Sequence, residues 1–234
     1  MQADRTRFKC DILVGMDIKY LGHSSFKIRG KSGSVVTDPF DSKMVGLDFP
    51  RVSAEIVTVS HNHDDHNQIV KVGGTSNRDK PFVIDRVGEY EVSGVGVIGV
   101  KSWHDDEQGS KRGENIIYVI QVEGVIVAHL GDLGHVLSDK QVSMIGPVDV
   151  LLLPVGGTYT LGPSDAIKVI EQLSPSIVVP MHYRTASSTD AFRDLATVDE
   201  FLEKADYGGV RREEKLSLSK TSLPEETEIV VLEV

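Results

Sequence analysis

The chain has 234 residues, with 25 Lys+Arg against 35 Asp+Glu, a formal net charge of −10, eight histidines and one cysteine. A lone Cys10 excludes an internal disulfide framework and every zinc site built on several thiolates, so a metal site here must draw on His and carboxylate ligands. The acidic balance argues against a nucleic-acid partner, which needs a basic face. The short runs Lys111-Arg112 and Arg211-Arg212 read as solvated surface.

Residues 1–15 are polar and irregular, and are expected to be an N-terminal extension. Lys9, Asp11 and Asp17 interrupt any signal-peptide core, and no apolar run approaches the roughly 18 residues of a membrane helix. No membrane association and a reducing cytosol are the resulting expectations, with the oligomeric state left open. Residues 16–234 read as a single domain. Ile18 and Tyr20, then Phe26 and Ile28, then Val35 to Thr37 form short β-rich runs separated by turns containing glycine. The run 55–60 is almost wholly β-branched, the pattern of a strand buried on both faces. Strands are expected again at 82–85, 90–101, 115–122 and 124–129. After residue 148 the rhythm changes: a strand at 149–153, a helix at 163–173 opened by Pro163, and a strand at 177–180. An amphipathic helix follows over 190–205, then strands near 216–218 and 228–233. The pattern predicts an α/β layered fold, two sheets with helices outside.

The chemistry concentrates directly after the 55–60 strand, in His61-Asn62-His63-Asp64-Asp65-His66. His61 and His63 are two apart, so an extended backbone aims both to one side, whereas Asp65 and His66 follow a turn and can face a second point. Crowded imidazoles repel once protonated unless a metal or an acid holds them. Further candidates stand at strand ends: Asp38 after Val-Val-Thr, His104 after the 95–103 run, Asp132 in His-Leu-Gly-Asp, and His182 in Val-Val-Pro-Met-His.

These motifs, in this order, resemble the metallo-β-lactamase-fold superfamily over residues 16–234. The stretches Leu21-Gly22-His23-Ser24-Ser25, Pro154-Val155-Gly156-Gly157-Thr158-Tyr159 and Met181-His182-Tyr183 are similar to its small, cap-less L-ascorbate-6-phosphate lactonase-like branch. The resemblance implies a four-layer αββα sandwich with two mixed sheets and helices outside. It also implies two divalent metal ions, zinc first, with manganese or iron as alternatives. His61, His63 and His104 would hold one ion and Asp65, His66 and His182 the other, with Asp132 bridging. Asp65 and Asp132 are then the catalytic carboxylates. A metal-bridging hydroxide would cleave an ester, lactone, amide or phosphodiester bond in a small molecule.

Around that set, Asp38 is expected to brace the ligand loop and His23 to lie near the metals or the substrate. His129 is expected to be buried and structural, His135 to cap or pack a loop, and Asp64 to be exposed. The pocket walls are expected from 39–50 (Phe40, Met44, Leu47, Phe49), 102–114 (Lys111, Arg112) and 156–163 (Tyr159); Arg112 is expected to be solvated, with contact to a substrate anion as the alternative, and Tyr183 and Arg184 are further substrate candidates. The alternatives are a small phosphodiesterase or nuclease, a mononuclear iron sulfur dioxygenase-type redox enzyme, and a non-catalytic scaffold. The 49 residues between Asp132 and His182 leave no room for a large inserted nuclease domain, and retention of all seven ligands argues against a scaffold.

Overall fold

The computed structural model describes residues 15–234, so the expected extension and Cys10 fall almost wholly outside the described residues. Two mixed sheets pack face to face. The smaller has six strands in the spatial order Leu216–Leu218, Met16–Gly22, Ser25–Arg29, Ser34–Thr37, Ile56–Thr58 and Phe82–Ile84. Its last three strands are parallel to one another. The larger has eight, in the order Val210–Glu213, Glu228–Leu232, Ile177–Met181, Val150–Pro154, Val125–His129, Glu114–Val122, Val95–Trp103 and Gly88–Val92.

Period-two alternation explains how the larger sheet serves two cores. In Glu114–Val122, Tyr118, Ile120 and Val122 face the smaller sheet, where they meet Phe26, Ile28 and Val35. Ile117 and Val119 point the other way, onto Val169 and Ile170 of the helix Pro163–Leu173 and Phe201 of the helix Val198–Leu202. The Tyr118 hydroxyl donates to the carbonyls of Val59 and Ile84, both 2.9 Å away, and so ties the two sheets together close to the site. On the outer face of the smaller sheet the covering layer is thin. It consists of the two-stranded ribbon Val52–Ser53/Val72–Gly73 over Leu21, Val36 and Val57, and of the one-turn helix Ser42–Val45, whose Val45 packs with Phe40, Phe192 and Leu195. No helix of the described residues is long and apolar enough to cross a membrane.

Several element boundaries differ from the sequence reading. The 90–101 run is a hairpin, because Ser93 and Gly94 take φ of 52° and 72° and turn the chain between Gly88–Val92 and Val95–Trp103. The expected helix over 190–205 is broken into a 3₁₀ turn Asp190–Phe192 and the helix Val198–Leu202. Between them the backbone is committed to neighbouring loops: Ala196 N–H donates to Gly156 O at 2.7 Å and Arg184 N–H to Ala196 O at 2.9 Å. Thr197 then restarts the helix with a capping box to Glu200. The continuous strand at 55–60 pairs regularly only over Ile56–Thr58, since Glu55 turns its carboxylate to Ser34 and Ser60 turns to Asp38. The helix Asp139–Ile145, capped by Ser138, and the edge strand Val210–Glu213 lay unrecognised in the sequence.

Candidate metal centre

Strands that run the same way deliver their carboxyl ends to one rim of the sandwich. Thr37 leads into Asp38, Thr58 into Ser60 and His61, Trp103 into His104, His129 into Asp132, and Met181 into His182. Three residues at this rim, His23, Asp38 and His182, hold left-handed backbone at φ of 56°, 38° and 50°. Each such non-glycine residue carries a strain cost of about 1–3 kcal/mol, which the packed rim must offset. At His182 the kink sends the chain away from the cluster. Tyr183 therefore packs beside Tyr20 (ring centroids 6.4 Å apart), and with Arg184 it borders a separate cleft instead of contributing to the metal pocket. That placement corrects the expectation that either residue contacts a substrate at the metals.

The cluster closes on Asp132. Its Oδ2 lies 3.2 Å from His66 Nε2, 3.3 Å from both His104 Nε2 and His182 Nε2, and 3.9 Å from His61 Nε2. His61, His63 and His104 form one group of converging donor atoms; Asp65, His66 and His182 form a second that also includes His23. All of these are buried except His63, which is exposed. His23 was expected only to lie nearby. Its Nε2 is 3.1 Å from Asp65 Oδ2 and its ring centroid 4.3 Å from that of His182.

The hydrogen-bond network assigns the tautomers. His66 Nδ1–H donates to Asp38 Oδ2 at 2.9 Å, which turns Nε2 toward Asp132 in the cluster. Ser60 Oγ donates to the same carboxylate at 2.5 Å and accepts from His61 Nδ1–H at 2.9 Å, so His61 also presents Nε2. Asp38 thus sets two imidazoles at once, and Ser60 N–H satisfies its other oxygen at 2.8 Å. Asp38, His61 and His66 could themselves be grouped as metal donors. With its oxygens filled by Ser60 and His66, however, Asp38 braces the ligands from behind.

Fully buried Asn115 went unrecognised in the sequence. Its Oδ1 accepts from Asp132 N–H at 3.0 Å while its amide donates to Ser102 Oγ and Leu130 O. A polar residue on an otherwise apolar inward row was the available signal. His129 is wholly buried and bonds Ser24 O through Nε2 at 2.7 Å, a role in packing. His135 bridges Trp103 N–H and Val136 O, and Asp64 is exposed.

The electrostatics suit a divalent cation. Burial opposes ionisation of Asp132, Asp65 and Asp38, but the surrounding imidazoles outweigh it and hold all three below the usual carboxylate range. Burial also disfavours charge on His66, yet Asp132 and Asp65 raise it well above the usual imidazole range. His61 is pushed well below that range by burial and by His66; His23 falls to about 4 through burial and His182. Three carboxylates kept ionised concentrate negative charge at the cluster. The Nε2 atom of His61 and Oδ1 of Asp132 are buried without a hydrogen-bond partner. Orphaned buried acceptors in a negative pocket are the donor set that a hard or borderline divalent cation satisfies, so the residues present fit the metal site the sequence implied.

The pocket at the cluster has a volume of about 480 Å³, and its mouth is bordered by Met44, Arg112, Tyr159, Ala191 and Phe192. Of the 156–163 segment Tyr159 borders the pocket, its OH donating to Ala191 O at 3.2 Å. Phe40, by contrast, is wholly buried against Phe49, so of the 39–50 segment only Met44 reaches the pocket. Ala191 and Phe192 were missed because that stretch read as one face of a continuous helix. Arg112 is exposed as expected, but it is seated on the Tyr159 ring, its guanidinium carbon 4.5 Å from the centroid.

Close backbone approach sets the rim. A Cβ on Gly156 would lie 2.2 Å from His182 O. We expect Gly156→Ala to displace the His182 peptide, to cost about 1–3 kcal/mol of stability and to weaken metal binding. Thermal unfolding with and without zinc checks this; unaltered Tm values in both states would refute it.

The sequence matches the Beta-lactamase superfamily domain over residues 17–182. A UPF0173 metal-dependent hydrolase from Thermococcus onnurineus is 32% identical, the alignment covering 76% of this chain and 91% of that protein. Its counterpart from Thermococcus kodakarensis is 33% identical over 72% of this chain and 84% of its own. Among solved structures, a Thermotoga maritima protein assigned to the Zn-dependent hydrolases of the metallo-beta-lactamase superfamily superposes with a TM-score of 0.76. It is 40% identical, with 94% of this chain and 99% of that one covered.

Proposed function

The chain belongs to the metallo-β-lactamase superfamily of metal-dependent hydrolases, and on that footing we propose a dinuclear hydrolase that cleaves an ester, lactone, amide or phosphodiester bond in a small molecule. His61, His63 and His104 would hold one divalent ion, and Asp65, His66 and His182 a second, with Asp132 shared. Zinc is the first choice for five imidazoles and two carboxylates, and manganese the second. The observation that carries this reading is the convergence of four imidazole Nε2 atoms on one oxygen of Asp132, in a pocket open to substrate. When bound, divalent metal supplies Lewis acidity and makes a hydroxide nucleophile available at neutral pH.

The chain's own groups do the rest. Asn115 Oδ1 accepts from the Asp132 backbone N–H and so fixes the segment that carries the Asp132 carboxylate between the two donor groups. Asp65 borders the pocket, remains ionised, and has one oxygen fixed by neutral His23. It can orient the attacking water, accept its proton and deliver that proton to the leaving group. Met44 and Phe192 offer apolar surface to the substrate body.

A panel of lactones, β-lactams, thioesters and bis(p-nitrophenyl) phosphate, run with zinc and with manganese, tests the reaction class alongside metal stoichiometry. We expect two equivalents of metal and turnover of at least one ester-like member. One equivalent of iron with an absorbing chromophore and no hydrolysis would overturn the reading. Replacing Asp65 by Asn should lower kcat about 10²–10⁴-fold, and an unchanged kcat would remove Asp65 from the proton path.

A further inference from the structure

The wall carrying Arg112 is built, not merely present. Asp105, next to the ligand His104, accepts four backbone N–H groups from its own loop: Glu107 and Gly109 on Oδ1 at 2.9 and 2.8 Å, Lys111 and Arg112 on Oδ2 at 3.0 and 2.8 Å. Gly113 N–H donates to Gly109 O, and Gly113 O accepts from His104 N–H at 3.1 Å, so the loop closes back on the ligand strand. The facing wall is tied down as well. Thr158 Oγ1 donates to Asp194 O and Tyr159 OH to Ala191 O. Arg112 joins the two walls by lying on the Tyr159 ring.

Its charge is otherwise uncommitted. Neighbouring Lys111 pairs with Glu107 at 2.6 Å, whereas Arg112 has no ion-pair partner among the described residues. Among the described residues it is the single Lys or Arg bordering the metal pocket. It also borders a second cleft of about 660 Å³ that meets the first at Asn62 and His63. A guanidinium stacked on an aromatic face keeps its in-plane N–H fork free, the geometry that takes a carboxylate or phosphate through two hydrogen bonds. On a chain with a net charge of −10, with exposed Asp64 at the same mouth, an anionic ligand needs such a local cation.

We propose that Arg112, seated on Tyr159, receives an anionic group of the substrate, a carboxylate or a phosphate, while the scissile bond lies at the metal cluster. Asp105 is the positioning residue that presents Arg112. The proposal rests on the hydrolase reading above and names the substrate class it takes: small anionic molecules with an apolar segment between the anion and the reacting bond.

Calorimetric binding to the zinc-loaded full chain tests it without relying on turnover. The probes are succinate, glutarate and adipate against the length-matched butyrate, pentanoate and hexanoate, with 4-phosphonobutyrate as the phosphate-like arm. The wild type should bind at least one dianionic probe about tenfold more tightly than its monocarboxylate counterpart. R112Q should abolish that preference and leave the monocarboxylate Kd within about twofold, while R112K should keep part of it. Whichever anion loses more in R112Q identifies the group. D105A, which frees the loop but leaves the arginine in place, should reduce the preference. No preference at any length in the wild type, or a preference that survives R112Q, overturns the inference and leaves the hydrolase reading intact. An Arg112-dependent preference in a protein that hydrolyses nothing in the panel overturns the hydrolase reading instead.

Discussion

Asp132→Ala should abolish both metal binding and turnover in a protein that still folds. Asp132 is 2% exposed and lies within 4 Å of four imidazole nitrogens contributed by three separate segments. Among the described residues no other carboxylate reaches both donor groups, because Asp65 is tied to His23 and Asp38 stands behind His61 and His66. Its loss removes the proposed shared ligand and the anion that does most to favour charge on His66. Turnover should fall at least about 10³-fold, equivalent to about 4 kcal/mol of lost transition-state stabilisation. Metal content should fall below one equivalent. Stability gives the second readout. Zinc at about 1,000 times its Kd should stabilise the wild type by about 4 kcal/mol, a Tm rise on the order of 8–16 °C for a chain of this size. In Asp132→Ala that rise should collapse, while the far-ultraviolet circular dichroism of the two-sheet core stays in place. A zinc-induced Tm rise equal to that of the wild type would show that Asp132 is not the shared ligand.

The centre was legible because its densest part is contiguous in sequence. The six residues 61–66 carry three imidazoles and two carboxylates, and the remaining ligands each close a strand whose alternation is plain. Backbone reversals hid the rest. His23 reaches Asp65 only because Met16–Gly22 and Ser25–Arg29 form an antiparallel pair whose tight connection takes positive φ at Gly22 and His23. The same kind of kink at His182 turns Tyr183 out of the pocket, against its proximity in sequence. Local pattern also overstated continuity. Phe192, Leu195, Val198, Phe201 and Leu202 fit one helical face, yet the backbone of Ala196 is claimed by Gly156 and Arg184, and Phe192 joins the pocket instead. Asn115 stayed hidden because its role lies in bonds to Asp132, Ser102 and Leu130, which only the assembled sheet brings within reach.

Substituting Asp38, which touches no substrate, should damage the protein nearly as much as substituting a ligand. Its carboxylate is fully buried and accepts from Ser60 N–H, Ser60 Oγ–H and His66 Nδ1–H. Asp38→Ala strands all three donors in the interior and leaves alanine at φ 38°, where aspartate and asparagine are better tolerated. Breaking a buried charged pair in this way costs about 3–5 kcal/mol, a large share of the roughly 5–15 kcal/mol that holds a domain folded. The depressed carboxylate adds a pH signature. Its stabilisation is complete above the ordinary aspartate range near pH 4 and is lost as pH falls through the lower folded-state value, so acid should narrow the gap between the wild type and the variant. Asp38→Asn separates stability from ligand orientation. The amide oxygen can still accept from Ser60, but an amide NH₂ turned toward His66 forces Nδ1 to accept, placing the ring proton on Nε2, where the metal must bind. Zinc affinity should fall by roughly 10–100-fold with a smaller loss of Tm than in Asp38→Ala. Competition against a chromophoric chelator measures the affinity, and long-range ¹⁵N correlations of the imidazoles report the tautomer. If Asp38→Asn binds zinc like the wild type with His66 still protonated at Nδ1, Asp38 does not set the ligand.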